Sequence, residues 1–105
     1  MSFEGMYADR LAASVESRDS RLVVGIDPRL DRLPKDLEGL DPEDALLALG
    51  SGVIEAVADQ AAAIKPQIAF FERWGWRGWR ALESVCKKAQ EHQLLVILDA
   101  KRGDI

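Results

Sequence analysis

Five side chains carry the reactive chemistry of this sequence: Asp27, Lys65, Asp99, Lys101 and Asp104. Three of them stand in LDAKRGDI, spaced D-x-K-x-x-D. Residues two apart on an extended strand share a face, so Asp99 and Lys101 would present a carboxylate beside an ammonium, with Ala100 opposite. Asp27 follows the apolar run LVVGI, and Lys65 ends AAAIK. Charges at the ends of such runs are costly to desolvate unless they pair. Taken singly, each has a plainer role: a rim salt bridge for the D-x-K pair, a turn acid for Asp27 before Pro28, a strand exit for Lys65 before Pro66. Converging on one mouth, they become an alternating array. Such an array holds a lysine protonated between acids and leaves a carboxylate to press on a substrate.

The elements that would position them are legible. Residues 22–26 (LVVGI), 61–65 (AAAIK) and 94–98 (LLVIL) are continuous apolar runs, the pattern of strands covered on both faces of a parallel sheet. Pro66 is expected to end the second, since it cannot donate to a ladder. Helical patterns separate the runs. Residues 6–17 suit an amphipathic helix before the first strand. Asp41-Pro42-Glu43-Asp44 is a strong helix start, with a capping acid, proline in the first turn and acids at the positive end. That helix should run to about residue 59, with Gly50 and Gly52 weakening its middle. Residues 78–92 form a further helix stacking Leu82, Val85 and Ala89 on one face. Residues 29–40, rich in Pro, Gly and charge, read as a surface loop. The order α-β-α-β-α-β implies right-handed crossovers and a parallel sheet.

Strand ends at Asp27, Lys65 and Asp99 recur at roughly 35 residues, and eight such units make a barrel of about 250 residues. The 105 residues are therefore expected to be one segment, 1–105, of a single larger domain: the first three βα units of a (β/α)8 barrel, with the remainder supplied elsewhere. A complete small three-layer domain is the alternative. The piece alone is expected to be inactive and poorly stable, because most of the barrel is lacking and open sheet edges invite association.

Composition narrows the class. With 48% hydrophobic and 30% charged residues, the chain is too apolar for disorder, and no run reaches the ~18–20 residues that span a bilayer. A net charge of -4 speaks against a nucleic-acid surface, so neither nucleic acid nor membrane is an expected partner. The N-terminal residues lack the shape of a signal peptide, which favours a cytoplasmic location. One cysteine, Cys86, makes no internal disulfide, and one histidine, His92, builds no zinc site alone. Both fall on the third helical segment, away from the strand ends, and read as structural. Trp74, Trp76 and Trp79 read as crossover packing, and Lys87-Lys88 as a solvated face. No G-x-G-x-x-G or P-loop is present.

LDAKRGDI resembles the signature of orotidine 5'-phosphate decarboxylases. VVGIDPR and IKPQIAFFE resemble the matching segments of the bacterial branch, so the likeness runs in order from about residue 22 to 105. The resemblance implies a (β/α)8 barrel, a homodimer, and conversion of orotidine 5'-phosphate to UMP and carbon dioxide without metal or cofactor. By position, it implies that Lys101 protonates C6 as carbon dioxide departs. Asp99 would face the substrate carboxylate, Lys65 would complete the charged network, Asp27 would bind the ribose side, and Asp104 would enter the neighbouring subunit's site. Barrel phosphate sites usually follow strands 7–8, so the phosphate grip and closing loop are not expected in these 105 residues.

Two rivals share the motif or the residues. A magnesium-dependent sugar-phosphate decarboxylase or synthase of the same suite carries an acid on the second strand, where Lys65 stands, and a lysine repels the ion. A Schiff-base aldolase needs a neutral Lys101, which flanking acids oppose. A catalytically silent barrel fragment is the reading from outside enzymology.

Overall fold

The computed structural model describes residues 22–100; the helix expected over residues 6–17, together with Lys101 and Asp104, lies outside them. Three parallel strands form the centre, in the order β1 (Val23–Ile26), β2 (Ala63–Pro66), β3 (Leu95–Val96). Val23 pairs with Ala63 and Ile26 with Pro66; Ala63 in turn pairs with Leu95 and Ile64 with Val96. Adjacent parallel strands in chain order are what three apolar runs joined by helical crossovers require.

β2 runs through Pro66 and does not stop before it. Proline deprives the ladder of one donor, yet its carbonyl still accepts from the Asp99 N–H at 3.0 Å, and the Gln67 N–H donates to the Ile26 carbonyl at 3.1 Å. The cost appears opposite. Regular β3 spans only two residues, and pairing resumes at an isolated Gln67–Asp99 bridge.

Two helices cover one face of the sheet. α1 (Pro42–Val57) begins as its sequence dictates, with Asp41 Oδ1 accepting the Asp44 N–H at 2.9 Å and Pro42 in the first turn. It passes unbroken through Gly50 and Gly52. The reason is packing: a β-carbon on Gly50 would lie 2.6 Å from Val85 Cγ2, so the bare backbone is what lets the facing helix close in. That helix follows a short one the sequence reading did not anticipate, α2 (Ile68–Glu72), and is longer than expected: α3 (Gly75–Glu91). Two ion pairs tie the outer rims of α1 and α3. Arg80 grips Glu43 through both carboxylate oxygens at 2.5 and 2.6 Å, and Lys88 pairs with Glu55. The loop over residues 29–40 is largely exposed and contains 3-10 turns at Leu30–Arg32 and Lys35–Leu37.

Ile26, Leu46, Ile54, Ile64, Phe71 and Val85 meet between sheet and helices, each at most 2% exposed. Full burial of such a side chain is worth about 1.5–3 kcal/mol. Among the described residues helices cover one sheet face only, though Ala63 on the other is buried. Val24, Ile26, Ile64 and Pro66 point at the helices, whereas Val23, Gly25 and Lys65 on the other face are exposed. Trp74 packs against the core as expected; Trp76 and Trp79 do not, and are 64% and 42% exposed. Arg77 and Arg80 lie 5.3 and 4.8 Å from the Trp76 ring centroid, where the ring face attracts their charge. No helix among the described residues is long and apolar enough to cross a membrane.

Candidate active site at the strand ends

The exposed sheet face carries the charges. Register places Lys65 beside Gly25, and continuing it by two residues sets Asp27, Gln67 and Asp99 on the next rung of the same face. The backbone holds this rung together: Asp99 N–H to Pro66 O at 3.0 Å, Ile68 N–H to Asp99 O at 3.0 Å, and Gln67 N–H to Ile26 O at 3.1 Å. A β-carbon built on Gly25 would come 4.0 Å from Asp27 Oδ2, so the Asp27 carboxylate leans back over Gly25, the residue that pairs with Lys65. Neighbouring strands lie about 4.8 Å apart, which brings a lysine and two carboxylates within reach of one small ligand.

The structure thus brings three of the five expected site residues to one face and one end of the sheet. Asp27 and Lys65 are exposed there, and Asp99 is half-buried. Asp27, Lys65, Asp99 and Lys101 are expected to form one hydrogen-bonded or ion-paired cluster; the described residues contribute this alignment of three, without an ion pair between Lys65 and either acid. An odd-numbered residue beyond Asp99 keeps the same face only if the extended backbone continues.

Gln67 is the residue the sequence reading passed over. It sits between Asp27 and Asp99 on their rung, half-buried, with an amide that both donates and accepts. Its signal was available in IKPQ: two residues past Lys65 means the same face, provided the strand survives Pro66. Cys86 and His92 stay outside the site, on α3 and at its C-terminal cap. Burial pushes the Cys86 thiol above its ordinary range, which disfavours its thiolate form. Among the described residues no three His, Cys, Asp or Glu side chains converge as a metal-binding set.

Residues 20–105 match the family model "Orotidine 5'-phosphate decarboxylase / HUMPS family". The chain belongs to this family. Among curated relatives, it is 45% identical to the orotidine 5'-phosphate decarboxylase of Natronomonas pharaonis over 105 residues, covering 100% of this chain and 36% of the relative. It is 43% identical to that of Streptomyces coelicolor, covering 94% and 35%. Among solved structures, the UMP synthase of Leishmania donovani superposes with a TM-score of 0.72 at 37% identity, covering 100% of this chain and 20% of that one. The orotidine 5'-phosphate decarboxylase of the same organism gives 0.66 at 36% identity, covering 90% and 34%. The chain spans about a third of the length of the curated relatives it matches. Family and topology agree: α/β, about three βα units, the N-terminal part of the family's barrel. The face without helical cover among the described residues is the one that a closed barrel turns inward.

Proposed function

We propose that this chain supplies the charged half of an orotidine 5'-phosphate decarboxylase site, converting orotidine 5'-phosphate to UMP and carbon dioxide, the last step of UMP biosynthesis. The observation that carries the reading is the shared face of Asp27, Lys65 and Asp99 in a segment that belongs to this family. Residues 1–105 act as the N-terminal segment of one barrel domain, completed by the remaining βα units, in a cytoplasmic homodimer.

The chemistry follows from charge. Losing carbon dioxide from the pyrimidine leaves an electron pair on C6, and no electron-sink cofactor is implied to delocalise it. Lys101 stabilises that carbanion as a preorganised ammonium and protonates C6; such a charge is worth more in a dry site than in water. Asp99 faces the departing carboxylate, Lys65 balances the acids, and Asp27 holds the ribose side. Asp104 crosses to the substrate of the partner subunit. Enzymes lower barriers by about 8–23 kcal/mol, more than one ammonium provides, so binding energy from the remote phosphate must also serve the reacting centre.

The test uses the 105-residue chain together with the remaining part of the Streptomyces coelicolor relative. Loss of the orotate absorbance is followed after chelator treatment. Turnover that persists is expected, and Lys101→Ala should cut it by about 10²–10⁴-fold with a much smaller effect on UMP affinity. Near-normal turnover by Lys101→Ala would overturn the assignment.

A further inference from the structure

We propose that the pocket between the loop after β1 and the residues of α2 is a second ligand site, separate from the strand-end charges, for a nucleoside 5'-monophosphate whatever its base. The pocket measures about 390 Å³, the size of a small-molecule site. Neither Asp27, Lys65, Gln67 nor Asp99 lines it. Its walls combine rings and cations. Phe70 and Trp74 are half-buried, and Trp74, like Leu30 below it, is held against the core. Arg29 and Arg73 stand at the rim with a single acid, Asp31, a local positive excess in a chain of net charge -4. The Arg73 guanidinium lies 5.5 Å from the Trp74 ring centroid, and no carboxylate among the described residues pairs with it. Arg29 commits Nε and Nη2 to Asp31 at 3.2 and 2.8 Å and keeps its remaining donors.

The lining identifies the ligand class. Planar guanidiniums favour phosphate, which they bind through paired N–H donors. A phosphate alone would leave the rings of Phe70 and Trp74 unused, whereas a base stacks on such rings, and every base has a π-face to offer. Apart from Asp31, the pocket presents no polar side chain that could read a base edge, so the site should not discriminate purine from pyrimidine. The fold keeps the place open. β1 and β2 are neighbours in register to Ile26–Pro66, and the Gln67 N–H carries the pairing on to the Ile26 carbonyl at 3.1 Å. A further strand would join this sheet at the outer edge of β1 or β3 and not between the two units that frame the pocket.

Equilibrium dialysis of the 105-residue chain against AMP tests the site. AMP is neither substrate nor product of the decarboxylation proposed above, so its binding and the turnover of orotidine 5'-phosphate are separate readouts. It should bind about tenfold or more tighter than adenosine or inorganic phosphate, each of which lacks one of the two contacts. Arg73→Gln, at an exposed position and with its fold checked by circular dichroism, should weaken AMP about tenfold or more. Asp31→Asn removes the carboxylate that competes for Arg29 and should tighten AMP a few-fold, a direction that a merely structural ion pair would not give. No saturable AMP binding by the folded chain, or an unchanged affinity in Arg73→Gln, would overturn the assignment. Adenosine binding as tightly as AMP would remove the role of the phosphate, and inorganic phosphate binding as tightly would leave a bare anion site; either result overturns it. AMP binding weakened by Asp31→Asn would place the ligand in another pose and do the same.

Discussion

Gly50→Ala and Gly52→Ala, two residues apart in α1, should move stability in opposite directions. Glycine inside a helix costs roughly 0.5–1 kcal/mol relative to alanine, so both substitutions gain that amount from backbone entropy. At Gly52 a β-carbon meets nothing within 4 Å, and the gain should be realised in full. At Gly50 the same carbon lands 2.6 Å from Val85 Cγ2 and 3.1 Å from Cγ1. Ordinary carbon contacts lie at about 3.5–4.0 Å, so α1 and α3 must part by roughly 1 Å or Val85 must leave its rotamer. Val85 is fully buried, and close-packed interiors leave little space for another rotamer. Overpacking of this kind costs about 1–3 kcal/mol. Because the propensity gain cancels between the two variants, their difference isolates that cost. One kcal/mol shifts the midpoint by about 4–8 °C in a domain of this size, so Gly50→Ala should melt at least about 4 °C below Gly52→Ala. Thermal unfolding followed by far-ultraviolet circular dichroism measures the gap. Adding Val85→Ala to Gly50→Ala should remove the clash and show as a favourable coupling in a double-mutant cycle. A Gly50→Ala chain as stable as Gly52→Ala would mean that α1 and α3 do not meet as described.

Gly78→Ala should be worse than either, since its β-carbon would sit 1.8 Å from the Phe71 carbonyl oxygen, and backbone cannot rotate aside; a loss of about 3 kcal/mol or more is expected in the same melt, and an unchanged midpoint would refute the α2–α3 approach. The hydrogen bond from Arg80, with its charge, holds the Glu43 carboxyl below its ordinary value of 4.5. A depressed folded-state value means the stabilisation is fully present above pH 4.5 and fades as pH falls through the folded value, so urea midpoints of the native chain and Glu43→Gln should converge in acid. A difference that stays constant from neutral pH down to strong acid would contradict the pairing. If the completed barrel dimerises as proposed, Lys101→Ala and Asp104→Ala should each be severely impaired. Under free exchange about half the dimers are mixed and carry one intact site in two, so roughly a quarter of the native rate should return; no recovery above background would confine Asp104 to its own subunit.

Much of this architecture was legible before any coordinates. Asp41-Pro42 announced α1 because a cap and a first-turn proline act on backbone groups three residues away. LVVGI, AAAIK and LLVIL announced three strands in parallel order because composition and spacing alone make helices the only short route between them. The chemical types at Asp27, Lys65 and Asp99 were legible for the same reason, each standing at the end of such a run. What only the tertiary structure decided depends on a partner strand or helix. Pro66 belongs to a strand because carbonyls and N–H groups on both sides keep the ladder together around it. That continuation puts Gln67 on the rung of Asp27 and Asp99, where a strand ending at Lys65 would have left it in a loop. Gly50 suits the middle of a helix because Val85 comes within reach of it from α3. Trp79 and Leu98 lie exposed because nothing among residues 22–100 packs on their side of α3. Local signals name an element from its own atoms; face, register and cover are properties of pairs of elements, and a single stretch of sequence does not contain its partner.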